Sequence, residues 1–434
     1  MMRTFLFALL VLPAPALAQA PTRLHAEIDR HAKALETKVV AWRRDFHQNP
    51  ELGNREIRTA KVIADHLSQL GLEVKTGIAH TGVVGVLRGG RPGPVVALRS
   101  DMDALPVTEE VDLPFRSQAK GTYNGQDVGV MHACGHDNHM AILMGVAEML
   151  TAMKAELPGT IKFVFQPAEE GPPLGEKGGA SMMLEEGIFE NPKVDAVFGL
   201  HVFPFEVGKV VYRPAGIMAS SDNFYITVRG KQTHGALPWG GIDPIVISSQ
   251  IVLALQTLTS RQTDLTLTPA VVTVGMLRGG IRTNIIPDSV EMAGTIRTFD
   301  ESVRAALHDK VTRTAEQIAA ASGAAAQVRI QRMTPVVHND PALTARMVPT
   351  LERVLGKSSV TIGQQTTTAE DFAFYQQQAP GLFFFLGITP KGADPATVFP
   401  NHSPRFFADE SALVPGMRTL AHLAVDFLTG APRQ

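Results

Sequence analysis

Histidines flank the single cysteine of this chain in the segment MHACGHDNHM, residues 131–140. One cysteine cannot form an intramolecular disulfide, so Cys134 has no structural bond of that kind. Three roles remain open for its thiol: an inert buried side chain, a nucleophile, or a thiolate that binds a metal together with imidazoles. The rest of the sequence is needed to choose between them.

Acidic and imidazole side chains follow three apolar runs that are typical of buried strands. Asp101 and Asp103 end PVVALRSDMD, Glu169 and Glu170 follow GTIKFVFQPA, and His201 comes directly after VDAVFGL. Continuous apolar runs separated by helical stretches predict a largely parallel sheet. Ligand sites in such sheets lie beyond the carboxyl ends of the strands. We therefore expect these side chains to meet at one edge of the sheet.

A second pattern lies between residues 216 and 333. Strand-like segments and two helices, capped by Asp243 and Asp300, follow the order β-α-β-β-α-β of a ferredoxin-like unit. The predicted fold class is therefore α/β, with a mixed-sheet domain in two parts (21–215 and 334–434). An inserted α+β domain at 216–333 interrupts it.

The first 18 residues have the layout of a secretory signal peptide. Arg3 precedes an apolar run, and Ala16-Leu17-Ala18 forms a cleavage pattern. We expect export to the periplasm or beyond it, and no membrane partner after cleavage, because no later apolar run reaches about 18 residues. Forty basic and forty-two acidic residues give a formal net charge of -2. Without a basic stripe, nucleic acid is not an expected partner.

Nine motifs together resemble a known family, the co-catalytic dinuclear metallopeptidases that include aminoacylases. Within it, the resemblance is to the amidohydrolase branch of hippurate hydrolases, N-acyl-amino acid hydrolases and plant auxin–amino acid conjugate hydrolases. The motifs extend from Arg43 to Phe406 in this order: RRDFHQNPELGNRE, LRSDMDALPVTE, MHACGHDNHMA, FQPAEEG, GLHVFP, GKQTHGALP, TNIIPD, AEDFAFY and NHSPRF. The resemblance implies a zinc-peptidase-like catalytic domain and an inserted domain that serves in dimerisation and as a lid.

The resemblance further implies a pair of divalent ions bridged by the cysteine sulfur. The implied ligands are Cys134, His136, Glu170, His201 and His402. Thiolate and imidazole favour zinc, with manganese, cobalt or nickel as alternatives. A sulfur shared by two cations has little basicity left for attack, which disfavours the nucleophile role.

By the same resemblance, Glu169 is the general base that takes a proton from a water activated by the two metals and returns it to the leaving amine. His234 reaches across a dimer to stabilise the tetrahedral oxyanion, and Asn284 contacts the substrate. Arg297 ends a predicted strand and could bind the carboxylate of the substrate by a bidentate contact.

Other polar residues near the motifs fall outside the implied ligand set. Asp101 and Asp103 are better placed behind the ligands, which they would orient. His139 matches no ligand position and is expected on the helix that follows the cysteine. Two stretches depart from the family pattern, namely Gly235 and Thr366-Thr367-Thr368-Ala369.

The predicted function is hydrolysis of the amide bond of N-acyl amino acids, of the hippurate or conjugate type, by a metal-dependent homodimer or higher homo-oligomer. Two alternatives stay open. A dipeptidase or metallo-carboxypeptidase would use the same site on a peptide-like substrate. A non-catalytic, metal-dependent binding protein would have no need of Glu169 as a base.

Overall fold

The computed structural model describes residues 20–394 and 397–430, so the signal peptide predicted for residues 1–18 lies outside the described residues. Within those two ranges, every helix is too short or too polar to cross a membrane. The α-helices are α1 (Ala20–Gln48), α2 (Ile57–Gln69), α3 (His136–Ala152), α4 (Gly179–Glu185), α5 (Pro244–Gln262), α6 (Glu301–Ala321), α7 (Pro341–Leu355), α8 (Phe372–Gln376) and α9 (Leu413–Thr429).

The strands belong to two larger sheets and three short two-stranded ones. In chain order they are β1 (Glu73–Ile78), β2 (Gly82–Arg88), β3 (Arg91–Asp101), β4 (Lys120–Tyr123), β5 (Gln126–Gly129), β6 (Pro158–Gln166), β7 (Ala196–Glu206), β8 (Val210–Tyr212), β9 (Ala215–Met218), β10 (Ser221–Arg229), β11 (Thr233–His234), β12 (Ala270–Gly279), β13 (Ile285–Ile286), β14 (Ser289–Thr298), β15 (Ala325–Thr334), β16 (Val337–Asn339), β17 (Val360–Ile362) and β18 (Gly381–Thr389).

Eight strands form the largest sheet, in the order β1-β2-β6-β3-β7-β18-β8-β17. Its centre is parallel, because β3 pairs in parallel with β6 and β7, and β7 with β18. The flanking strands β2 and β8 run antiparallel to their central neighbours. The predicted mixed α/β fold is therefore confirmed, and the carboxyl ends of the central strands meet at one edge.

Alternate residues of the central strands are buried on opposite faces of this sheet. Val96 and Leu98 of β3 belong to the core formed with α1, α3 and α9, whereas Val95 and Ala97 belong to the core formed with α4 and α8. Burying one such valine or leucine contributes roughly 1.5–3 kcal/mol. Because helices cover both faces, the strands are apolar throughout rather than alternately polar.

Residues 221–334 form a separate antiparallel sheet in the order β12-β14-β10-β15. Helices α5 and α6 pack on one face of it, around Phe224, Ile251 and Leu307. Asp243 and Asp300 cap these helices by accepting backbone N–H groups of the first turns. The element order is the one expected of a ferredoxin-like unit. Its limits as a domain, and its role in dimerisation, stay predictions.

Helix α2 begins at Ile57, and the residues just before it have other conformations and contacts. Asn54 has a left-handed φ of 60° and its side chain donates to the Lys177 carbonyl, which keeps it out of the helix. The carboxylate of Glu51 accepts the N–H groups of Arg58 and Thr59, which caps the first turn instead. Asn54 and Glu56, which precede Ile57, contact the loop after β6.

Candidate metal centre

Three chain segments converge at the carboxyl edge of the large sheet. Asp101 ends β3, Glu169 and Glu170 follow β6, and His201 lies in β7. The turn into α3 approaches them so closely that only glycine fits at residue 135, where φ is 92° and a Cβ atom would lie 2.3 Å from a methyl group of Val202. The expectation that the strand ends meet at one edge is confirmed.

The five side chains implied as metal ligands lie together there. Cys134 Sγ is 3.3 Å from His201 Nε2, and His402 Nε2 is 3.0 Å from Glu170 Oε1. Donor atoms of Cys134, Glu170 and His402 lie within 4.8 Å of one another, as do those of His136, Glu169 and Glu170. All of these side chains are buried or partly buried except His402, whose side chain is 54% exposed.

Two of the histidines are held by backbone carbonyls through Nδ1. His136 donates to the Asp103 carbonyl at 2.7 Å, and His201 donates to the Val202 carbonyl at 2.7 Å. In each ring the proton on Nδ1 leaves the lone pair of Nε2 available to a cation. Nε2 of the buried His136 has no hydrogen-bond partner among the described residues, and it lies 3.9 Å from Glu169 Oε2.

Asp101 and Asp103 hold groups next to the five predicted ligands, and their role as supporting residues stays a prediction. Asp103 Oδ2 accepts the Glu170 N–H at 3.0 Å, and Asp101 Oδ1 accepts from His139 Nδ1 at 2.6 Å. His139 lies in α3, as expected, and its Nε2 accepts the Val202 N–H at 2.8 Å. With both nitrogens occupied, His139 supports the centre and is not free to bind a metal.

A buried group of carboxylates surrounds Glu169. Oxygens of Glu169, Glu370 and Asp371 lie within 4.8 Å of one another. Arg99 is the buried counterion, with ion pairs to Glu370 (2.9 Å) and Asp371 (3.0 Å) and another to Asp101 (2.8 Å). Burial, together with the charges of Glu370 and Glu170, raises the pKa of Glu169 well above its ordinary value.

The electrostatics of this cluster favour bound cations. Burial and the neighbouring Glu170 and Glu169 raise the pKa of the Cys134 thiol. Burial lowers the pKa of His136, but Asp101 and Asp103 outweigh it and raise the pKa to about 10. The buried carboxylates therefore draw positive charge to the site, and the donor set of thiolate, imidazole and carboxylate fits zinc-like ions.

His234 and Asn284 lie next to each other on a different part of the chain. His234 ends β11 and Asn284 precedes β13, and next to this strand pair the Gly235 N–H donates to the Asn284 carbonyl at 2.8 Å. Both side chains are exposed. His234 Nδ1 accepts the Ala236 N–H at 3.0 Å, which leaves the proton on Nε2 as a free donor. Among the described residues, no hydrogen bond or ion pair joins either residue to the ligand cluster.

The other residues singled out in the sequence are Arg297, Gly235 and the threonines at 366 and 368, and their contacts are as follows. Arg297 lies partly buried on β14, and its guanidinium has no hydrogen-bond or ion-pair partner in the described chain. A Cβ at Gly235 would lie 3.1 Å from the Asn284 backbone, which gives that departure a steric reason. Thr366 and Thr368 accept the Ala219 N–H beside β9 through their carbonyls.

Sequence profiles identify the family. The profile of the peptidase family M20/M25/M40 matches residues 97–426. The chain belongs to this family. The resemblance stated from the motifs is confirmed, and this M20 chain is a hydrolase of the amidohydrolase and peptidase group.

Curated relatives of this M20 chain cover nearly its whole length. Thermostable carboxypeptidase 2 of Saccharolobus solfataricus is 40% identical over 92% of this chain and 98% of its own. N-acetylcysteine deacetylase of Bacillus subtilis is 38% identical over 91% and 97%. IAA-amino acid hydrolase ILR1-like 2 of Arabidopsis thaliana is 36% identical over 95% and 91%.

Among solved structures, the Bacillus subtilis YxeP protein, described as a dinuclear metal-binding peptidase of the M20 family, matches with a TM-score of 0.76. It is 36% identical over 91% of this M20 chain and 99% of its own. A metal site with two ions is thus known in a protein of the same fold. Three features around the centre were not predicted from the sequence: Arg99, Glu370 and the hydrogen bonds of His139.

Proposed function

We propose that this chain is a metal-dependent amidohydrolase that cleaves the amide bond of N-acyl amino acids. The observation that carries the proposal is the meeting of the five donor side chains, Cys134, His136, Glu170, His201 and His402, with Glu169 beside them. These five would hold two divalent cations, zinc best matching the thiolate. When bound, such ions supply Lewis acidity toward an amide carbonyl, lower the pKa of water, and offset the repulsion between the adjacent carboxylates.

In this proposal Glu169 moves the proton. Its carboxylate lies at the centre of the cluster without being needed as one of the five donors, and its raised pKa suits a group that accepts a proton from water and returns it to the leaving amine. Its Oε2 atom lies 3.9 Å from Nε2 of His136, so the base is beside one of the proposed ligands.

Three side chains from residues 234–297 would contact the substrate. The free Nε2–H of His234 can donate to the oxyanion that forms from the amide carbonyl, with Asn284 beside it. The unpaired guanidinium of Arg297 can bind the carboxylate of the amino acid product.

We also propose an exported enzyme that works as at least a homodimer. Export is supported by the signal-like layout of residues 1–18. Association is supported by exposed apolar side chains in residues 237–281, among them Trp239 (81% exposed) and Ile281 (95% exposed), and by the position of β12 at an edge of its sheet.

A peptidase with the same site is the second candidate. It is supported by the 40% identity to a carboxypeptidase over almost all of that relative. Hydrolysis of N-acyl amino acids and of free dipeptides by one metal-loaded sample would separate the two substrates, because the metal chemistry is common to both.

The substitution Glu169→Gln tests the mechanism. It keeps the shape of the side chain and removes the base, so we expect turnover to fall by about 10² to 10⁴-fold with bound metal unchanged. Glu36→Gln, a matched change on the exposed face of α1, should keep wild-type turnover. Chelation should abolish hydrolysis until zinc, manganese or cobalt is restored. Near wild-type turnover of Glu169→Gln would place the base elsewhere.

A further inference from the structure

The loop from residue 167 to residue 178 carries both Glu169 and Glu170, and buried carboxylates hold its backbone. The Ala168 N–H donates to Glu56 Oε1 at 2.9 Å, and the Glu170 N–H donates to Asp103 Oδ2 at 3.0 Å. Where α4 follows the loop, the Ala180 N–H donates to Asp371 Oδ2 at 2.8 Å. The three acceptors come from distant parts of the chain, so tertiary structure sets the path of this loop.

Glu56 is the acceptor for which no other role is evident. The residue is fully buried, and its second oxygen accepts a hydrogen bond from Thr81 Oγ1 at 2.6 Å. Among the described residues it forms no ion pair with a basic side chain. A carboxyl buried without a counterion is costly to keep, so it would be retained where its hydrogen bonds are needed. Those bonds go to Thr81 and to the residue just before Glu169.

Ala168 has a backbone conformation that needs such support. Its φ is 50°, in the left-handed region that residues with a Cβ rarely adopt outside constrained sites. The turn at Gly53 packs against it, since a Cβ on Gly53 would lie 3.2 Å from Ala168 Cα. The peptide of Ala168 directs the chain into Glu169, so a change in its orientation moves the Glu169 carboxylate.

We propose that Glu56 is a positioning residue that fixes the Ala168 peptide and thereby aims Glu169 at the reacting water. The inference rests on the proposed function, in which Glu169 is the base. Among the described residues, the Glu56 side chain forms hydrogen bonds with Thr81 and Ala168 and none with the proposed metal ligands. Its effect should therefore appear in turnover, with little change in bound metal or in KM.

The test compares variants of Glu56 with a matched control. Glu56→Ala should lower kcat by about 10 to 100-fold at full metal content, the usual range for residues that orient a site. Glu56→Gln should keep most of the activity, because its amide oxygen can accept the Ala168 N–H and its NH₂ can donate to Thr81. Glu51→Ala removes a carboxylate that also accepts backbone N–H groups, but those of α2. It should lower thermal stability and leave kcat unchanged.

A double substitution separates positioning from general damage. If Glu56 acts through Glu169, adding Glu56→Ala to Glu169→Gln should cause no further loss of kcat. An equal further loss, or a wild-type kcat for Glu56→Ala alone, would overturn the inference. If Glu56→Ala does not fold, Thr81→Val, which removes one of the two hydrogen bonds, is judged by the same two criteria. Full activity of Glu169→Gln would instead overturn the proposed function.

Discussion

Neighbouring groups engage Nδ1 of His136, His139 and His201, which determines what the other ring nitrogen can do. In His136 and His201 the neighbour is a carbonyl oxygen, so Nε2 is the nitrogen left to bind a cation. His139 differs, because Nδ1 donates to Asp101 and Nε2 accepts the Val202 N–H. The backbone of Val202 therefore links His139 to His201. On this geometry His139 would orient the proposed ligand His201.

Replacing His139 should weaken metal binding without removing a ligand. His139→Ala removes the acceptor of the Val202 N–H, so the backbone that holds the ring of His201 is less constrained. We expect the metal dissociation constant to rise by about 10 to 100-fold. The number of ions bound at saturation should stay the same. Competition with a chromogenic chelator gives the affinity, and metal analysis at saturation gives the number.

A second buried histidine supplies the control. His66 lies in α2 and contacts the Met144 carbonyl at 3.3 Å, so His66→Ala makes a similar cavity without touching the centre. It should leave metal affinity unchanged. Loss of one bound ion at saturation in His139→Ala would mean that the side chain is a ligand after all.

The sequence motifs predicted which side chains would gather at the centre but not what supports them. Arg99 could have been noticed, because a charged residue within an apolar strand must be paired if it is buried. The role of Glu56 had no such signal. It depends on a hydrogen bond to Ala168, more than a hundred residues away. Contacts of that separation are set by the fold and are not visible in local spacing.

Secondary structure was predictable where local signals were strong. The starts of α5 and α6 were predicted from the capping residues Asp243 and Asp300. The buried central strands were predicted from apolar runs. The order of the eight strands was not predictable, because pairing between strands that are distant in the sequence decides it. The two antiparallel strands β1 and β2 at one edge gave no distinct pattern.

A buried ionic cluster joins α6 to the two chain segments that enter and leave the antiparallel sheet of residues 221–334. Asp222, at the start of β10, accepts from Arg304 and His308 and from the Met333 N–H at the end of β15. Glu301 pairs with Arg304 and accepts the N–H of Val336, in the returning connection. The segments that enter and leave this sheet are thus both bound to α6.

Removing the charge of Asp222 should destabilise the protein in a pH-dependent way. Burial alone would raise the pKa of Asp222, but hydrogen bonds from Arg304 and His308 lower it well below the ordinary value. The stabilisation is therefore present above the unfolded pKa of about 3.9 and is lost as pH falls below it. Asp222→Asn should cost about 3–5 kcal/mol near pH 7, as for other broken buried pairs.

Urea unfolding of chelated protein measures this effect without interference from metal loss. The difference between wild type and Asp222→Asn should shrink as the pH falls below about 4. Asp309→Asn, an exposed change on the same helix, should have little effect. A difference independent of pH would show that the Asp222 carboxylate is not the stabilising charge.

The side chain of His234 is exposed although the family resemblance implies that it acts in catalysis. His234 lies on the second sheet unit with a free Nε2–H, and no hydrogen bond or ion pair in the described residues connects it to its own ligand cluster. Exposed apolar side chains such as Leu237 and Trp239 lie beside it. The proposed neighbouring subunit would explain both features, because it would cover the apolar side chains and supply the centre that His234 serves.

Mixing two inactive variants tests that arrangement. His234→Ala should lower turnover by about 10² to 10³-fold, the usual effect of losing one oxyanion donor, with bound metal unchanged. A mixed dimer of His234→Ala and Glu169→Gln pairs one intact Glu169 with the intact His234 of the other chain. After random exchange of equal amounts, half the dimers are mixed and each has one complete site, so about a quarter of wild-type activity should return. Differently tagged chains report the exchange itself. With exchange established, activity no higher than that of the separate variants would mean that His234 acts within its own chain or only in the structure.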